Sequence, residues 1–438
     1  MKWYVILLLV ILTFASDTRK LIYSIIIASN GVGNPTTSTN EWGVNYQELT
    51  AVGIRQLYLL GRQMHKRYVI DLKLIKEKFN QELVKFKSMY SIKAVPTSAY
   101  AFAAGLYYPG TGNILNDYQQ KHAVPPVNFT DYKKYQEELK GAALLHSYTS
   151  VPIVIDNKVP NRHFEAISLC SSIPHLLYEY LANNDSARED IERREVIYKE
   201  KLYPAIMKAL KLTENIQNIT EALQHRQHII AAKYSSIKLS YDLTEGEYEL
   251  LDDLYDIGMY KRLMGNIKIS QLELYGMAKD LLKVINIIDA NSLKDKMTVY
   301  VMDDLKILAL LRLFNYTPER NKTLTIPYAS SLILDIYKDG DKYLVEPLIN
   351  GEYVYTTNKI IPLEGLKLIL NETENIKFNE LCDYKPDEIT SSSLFFIVIT
   401  FSVTGCFIIG LIIAFYIQRM RNKKSSEDDS IVNLIDTH

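Results

Sequence analysis

Residues 21–37 read LIYSIIIASNGVGNPTT, and the character of this stretch decides the fold. Leu21–Ala28 is a near-continuous apolar run, rich in isoleucine. A strand with one wet face would alternate apolar and polar residues, whereas this run suits a strand buried on both faces of a parallel sheet. Gly31, Gly33 and Pro35 follow at once, so the strand leaves into a glycine-bearing turn. Open α/β sheets bind ligands just outside the carboxyl ends of their strands. That turn is therefore the first place to look for a site.

Further along, GVNYQELTAVGIRQLYLLGRQMHKRY (43–68) places Leu57, Leu60, Met64 and Tyr68 at helical spacing behind Thr50, a suitable N-cap. Met297–Val301 is a short strand, followed by Asp303, Asp304 and an apolar helix over Leu305–Phe314. The turn signals Asp339-Gly340 and Asn350-Gly351 join short apolar strands into antiparallel hairpins. From about 185 to 285 the chain is rich in helix formers and poor in turn signals. There is no internal repeat, and the 32 tyrosines are assigned to composition and packing.

Both ends carry membrane signals. Residues 1–15 combine Lys2, an apolar run from Trp3 to Leu12, and a small-residue cleavage site at Ala15, the pattern of a signal peptide. Leu394–Ile417 is a 24-residue apolar stretch without charge, long enough to cross a hydrocarbon core of about 30 Å with some tilt. Arg419, Arg421, Lys423 and Lys424 follow it, which places residues 418–438 in the cytosol and argues against a GPI tail. The expectation is a single-pass type I membrane protein with residues 16–393 lumenal or extracellular, in a lysosomal or endosomal membrane or at the cell surface. Six sequons, at Asn128, Asn184, Asn218, Asn315, Asn321 and Asn371, all lie between the two membrane signals and fit a glycosylated ectodomain. Of three cysteines, Cys406 falls inside the span. Cys170 and Cys382 remain in an oxidising compartment, where a disulfide is expected. The net charge of −1 gives no reason to expect a nucleic-acid partner.

In order and spacing, these segments resemble the histidine acid phosphatases, the lysosomal and prostatic acid phosphatase-like enzymes of the histidine phosphatase superfamily. The family's Arg-His-Gly-x-Arg-x-Pro run aligns with residues 29–35, keeping Gly31 and Pro35. The Leu-Thr-x-x-Gly-x-x-Gln-x-x-x-Leu-Gly pattern over 49–61 resembles the family's first helix, whose glycines pack against the sheet. KSMYSIKAVPTSAYAFAAGLYYPGT (87–111) resembles its second strand and helix, LALLRLFNY and PYASSLILDIY two later segments. The resemblance covers residues 20–385. It implies an α/β fold with a doubly wound, mostly parallel sheet flanked by helices, a helical cap inserted within 150–290, and one transmembrane helix. A homodimer is one assembly it suggests, and it calls for no cofactor and no metal.

The resemblance also locates what has changed. The nucleophilic histidine falls at Asn30, and the phosphate-binding arginines fall at Ser29, Gly33 and Ala94. The distal histidine falls at Asp303, while the proton-donating aspartate is kept as Asp304. The family reaction attacks phosphorus with an imidazole, neutralises the equatorial oxygens with arginines and protonates the leaving alcohol. An amide nitrogen is not nucleophilic, and an added carboxylate should repel a phosphate dianion. Arg162-His163 is a weak substitute for the lost pair because it leads into a helix rather than out of a strand, and Asp303-Asp304 is a weak metal signal. His225 and His228 lie three apart and read as solvated helix residues. The tail reads as a solvated stop-transfer tail, with a sorting signal at Leu434-Ile435 behind an acidic run, at imperfect spacing, as the alternative. The expected protein is a catalytically inactive, membrane-anchored acid phosphatase-like glycoprotein serving binding or surface display. The alternatives are an active acid phosphatase hydrolysing phosphomonoesters and a purely structural surface glycoprotein.

Overall fold

The structure is a computed structural model that describes residues 19–36, 41–90, 92–127, 131–156, 166–290, 292–318, 323–355 and 359–382. The expected signal peptide at 1–15, the apolar stretch 394–417, the residues after it, Asn128, Asn321 and the Arg162-His163 pair lie outside these residues. Among the described residues no helix is long and apolar enough to cross a membrane.

Eight strands form one sheet: β1 (Lys20–Ser29), β2 (Val84–Met89), β3 (Ile153–Asp156), β4 (Met297–Met302), β5 (Ser331–Asp339), β6 (Lys342–Ile349), β7 (Glu352–Tyr353) and β8 (Ile361–Pro362). Their order is β3-β2-β4-β1-β5-β6-β7, with β8 beside β6. The run β3-β2-β4-β1 is parallel. From β5 onward the pairing is antiparallel, through the hairpins that turn at Asp339-Gly340 and Asn350-Gly351. β1 sits between parallel β4 and antiparallel β5, and Tyr23 through Ala28 are fully buried. β4 is likewise buried along its whole length. Each buried Ile or Val contributes roughly 1.5–3 kcal/mol by leaving water, so the two central strands anchor the core.

Helices flank this sheet. α1 (Ala51–His65) starts at Thr50, whose hydroxyl accepts from Gly53 N and donates to Val32 O at 2.9 Å. That pair of bonds ties the helix N-terminus to the turn after β1. α1 packs on α2 (Ala94–Leu106), and the close approach rests on glycines. A Cβ on Gly61 would lie 2.2 Å from Phe102 O, and one on Gly105 would lie 2.0 Å from Tyr58 O. Gly53 instead faces the turn, where a Cβ would come 2.4 Å from Val32 O. The α1 glycines thus pack against a loop and a helix, not against the sheet as the resemblance implied. Period alone shows that a helix face is small, not what it meets.

A second hydrophobic core lies within the stretch where the resemblance implies a cap. α3 (Asp185–Ile197), α4 (Tyr203–Leu210), α5 (Ile219–Ser235) and α6 (Glu245–Tyr255) share a core of their own, built on Ile191, Leu202, Ile206, Ile229, Leu251 and Leu254. α7 (Ile267–Asp289) belongs to the sheet core through Leu274, Met277, Leu281 and Ile285. It packs with α8 (Asp304–Leu313) and α9 (Leu363–Glu374). This separate helical core spans about 191–257. Cys170 and Cys382 form a disulfide across a sequence separation of 212 residues.

Candidate functional site

Register brings the sequence-predicted positions together. Ser29 closes β1 opposite Met302, the last residue of β4, so the turn after β1 and the Asp303-Asp304 start of α8 emerge side by side. Ala94, the first residue of α2, follows β2 on the other side of β4. Ser29, Asn30, Gly33, Pro35, Ala94, Asp303 and Asp304 all line one cavity of about 930 Å³. Gly31 lies behind it and packs on Gly53.

The turn itself is tied into the protein. Ser29 N donates to Ser330 O, Asn30 N to Met302 O and Asn34 N to Glu48 O. Gly31 N donates to Ser98 Oγ at 3.2 Å and Val32 N to Gln56 Oε1 at 3.1 Å. These five donors are committed to protein acceptors, so the turn is a hydrogen-bonded scaffold rather than an open anion nest. Ser29 Oγ bridges the 327–330 turn, donating to Pro327 O and accepting from Ser330 N. Asn30 Nδ2 donates to Gly31 O at 2.9 Å. Gly33 and Ala94 face each other, since a Cβ on Gly33 would lie 3.3 Å from Ala94 Cβ and 3.2 Å from Glu48 O. Where the resemblance calls for two arginines, the walls are nearly in contact.

Across the cavity stands the acidic start of α8. Burial and the neighbouring Asp303 hold the Asp304 carboxyl above the usual carboxylate range, although Tyr255 OH donates to it and Arg226 is close. Tyr255 is driven far above the ordinary phenol value by burial and by Asp304, so its phenol remains a donor. Asp303 Oδ1 lies 3.7 Å from Lys306 Nζ. Lys306 is fully buried beneath the site and pairs with Glu273 of α7, itself buried. Among the described residues no three His, Cys, Asp or Glu side chains gather as a metal site.

The fourth wall comes from the cap, and sequence reasoning missed it. Arg226 of α5 is buried, donates through Nε to Leu251 O and through Nη2 to Asp252 Oδ1 at 3.1 Å, and stacks 4.5 Å from the Tyr255 ring centroid. Gln224, Gln227, Ile230, Lys233 and Tyr234 of the same helix also line the cavity. The three- and four-residue steps 224, 227, 230, 234 mark a single helix face, the one signal that could have exposed it. His225 and His228 point elsewhere: His228 lies 6.0 Å from Trp42 by ring centroid, and His225 3.9 Å from Glu221. Of the described sequons, Asn184 and Asn218 cap α3 and α5, and Asn315 follows α8 in the open. Asn371 lies within α9, where the sequon's Thr373 is buried and donates to Ile369 O.

Comparison with known proteins agrees with this architecture. Residues 14–149 match the sequence model of the Histidine phosphatase superfamily (branch 2). A phytase from Citrobacter braakii superposes with a TM-score of 0.57 at 11% identity, covering 81% of this chain and 98% of that one. A Hafnia alvei phytase in complex with tartrate gives 0.55 at 11%, covering 82% and 98%. A phytase from Klebsiella sp ASR1 gives 0.53 at 12%, covering 81% and 96%. At such identities the likeness concerns fold alone. No curated protein matches the chain by sequence.

Proposed function

We propose that this chain, which carries the fold of branch 2 of the histidine phosphatase superfamily, is a membrane-anchored, acid phosphatase-like glycoprotein that has lost catalysis and serves binding or display. One observation carries the reading. The cavity at the strand ends presents Asn30, hydrogen-bonded to its own turn, where a phosphohistidine would have to form. An amide has no lone pair for in-line attack, and loss of a covalent nucleophile alone can cost on the order of 10⁶ in turnover. The electrostatics support the same conclusion. Three carboxylates, Asp252, Asp303 and Asp304, face two cations, Arg226 and Lys233, and Arg226 is already held by Asp252. Anchoring rests on the apolar stretch 394–417 and the basic residues behind it, and the lumenal side on the signal peptide, the sequons and the disulfide.

The test is anion binding by the full-length protein in detergent. Vanadate and phosphate, and tartrate, which is bound in the Hafnia alvei phytase structure, should leave its melting temperature unchanged. A competent anion site occupied at 100 times its Kd would gain about 2.7 kcal/mol. A clear rise with vanadate would refute the reading.

A further inference from the structure

We propose that this cavity binds a small organic amine, with its ammonium group on Asp303 and its apolar body among the tyrosines that line the same space. The inference rests on the reading of the site as catalytically silent and adds the chemical class of its ligand. Asp303 carries it. The residue stands at the N-cap of α8, yet its side chain makes no capping hydrogen bond, although an aspartate there ordinarily accepts from the first turn. Its Oδ1 is buried without a hydrogen-bond partner, the condition in which a polar group is most costly. The cation beside it, Lys306 Nζ at 3.7 Å, is already bonded to Glu273. Two carboxylates thus share one buried ammonium, and Asp304 adds a third acid at the next position. An ammonium entering from the cavity would supply both the donors and the charge that Asp303 lacks.

The rest of the cavity suits such a ligand. Tyr46, Tyr234 and Tyr328 line it together with Ile230 and Ile326. Tyr46 and Tyr234 are exposed, and Tyr234 is held edge-on by Tyr328 at 5.8 Å between centroids. Aromatic faces attract cations and pack on apolar groups. The cavity's own cations are engaged away from Asp303. Arg226 is held by Asp252 and Leu251 O, and Lys233 stands 3.7 Å from the centre of the Tyr248 ring. Lys233 is exposed, so an anion would meet one solvated ammonium and no guanidinium fork, with Asp252, Asp303 and Asp304 lining the same space. At about 930 Å³ the cavity is in the range that encloses a whole small ligand.

Isothermal titration of the full-length protein in detergent tests this with three probes built on one body: tyramine, its alcohol analogue tyrosol and its acid analogue 4-hydroxyphenylacetate. The titration is run at pH 8, above the value of about 7 to which burial raises Glu273, so that Lys306 is held by a charged partner. Tyramine should bind saturably, and 4-hydroxyphenylacetate should not bind. Tyrosol should bind about ten- to a hundredfold more weakly than tyramine, the factor that a hydrogen bond to a charged group is worth. This series reads the charge preference on the unmodified protein. Asp303→Asn, which keeps the shape and removes the charge, should weaken tyramine by the same factor. Lys233→Gln, at an exposed position, should leave tyramine binding equal or tighter. No binding of tyramine, equal binding of tyrosol, preference for the acid, tyramine binding unaffected by Asp303→Asn, or its loss with Lys233→Gln would each overturn the proposal. Absence of all binding, vanadate included, would leave the silent-site reading standing, whereas vanadate binding would sink both.

Discussion

Replacing Lys306 by methionine isolates the buried pair beneath the site. Glu273 is pushed up to about 7 by burial, partly offset by Lys306. Its folded value lies above the ordinary 4.5, so its contribution to stability is full below about 4.5 and is lost as pH rises through about 7. At pH 8 the carboxylate is charged, and Lys306 compensates it in a setting where Glu273 is 2% and Lys306 0% exposed. Removing one partner of such a pair costs roughly 3–5 kcal/mol. At about 2 °C per kcal/mol in a chain of this size, the melting temperature should fall by roughly 6–10 °C at pH 8. At pH 5 Glu273 is already neutral, so the loss should shrink to the difference in packing. Lys306→Met/Glu273→Leu should recover most of the stability at pH 8. Scanning calorimetry at the two pH values reads both effects. An equal loss at pH 5 and pH 8, or a larger one at pH 5, would refute the reasoning.

Three other perturbations follow from the same geometry. Gly53→Ala places a Cβ 2.4 Å from Val32 O, and urea unfolding should show a loss of about 1–3 kcal/mol. Cys170→Ser opens a loop closed over 212 residues and should cost about 5 kcal/mol by chain entropy; a variant that melts at the parent temperature would contradict this. Burial raises Asp304 in the folded state, so its stabilising contribution is full below the ordinary carboxylate range and fades as pH rises above it. Asp304→Asn should therefore gain on the parent protein as pH rises above that range, and a variant that loses ground would count against the assignment.

The parallel half of the fold was legible because its signals are local. A doubly buried strand needs an unbroken apolar run, as in Leu21–Ala28, and a helix start needs an oxygen such as Thr50 Oγ1 at the right place. The five positions where the resemblance implies a change, Ser29, Asn30, Gly33, Ala94 and Asp303, and the kept Asp304 came from the family pattern, and strand register places them on one cavity. Which helices share the second core was not legible. α7 has the same apolar spacing as the cap helices, and only packing reveals that Met277 and Leu281 belong to the sheet core while Ile206 and Leu251 belong to the second core. The cations were missed for a related reason. Arg226 on an amphipathic helix reads as solvated, and its burial against Asp252 and Tyr255 exists only after the cap has docked. Gly33 shows a further limit: the resemblance implies an arginine there, but how little room a side chain at Gly33 would have beside Ala94 and Glu48 O was not legible.

The central claim is that the turn after β1 no longer supports phosphoryl transfer. Turnover of a generic phosphomonoester at acid pH by the full-length protein, measured beside its Asp304→Ala variant, tests it most directly. The two should be indistinguishable, because without a nucleophile there is no phosphoenzyme whose leaving group Asp304 could protonate. Turnover clearly above that of the variant would contradict the account.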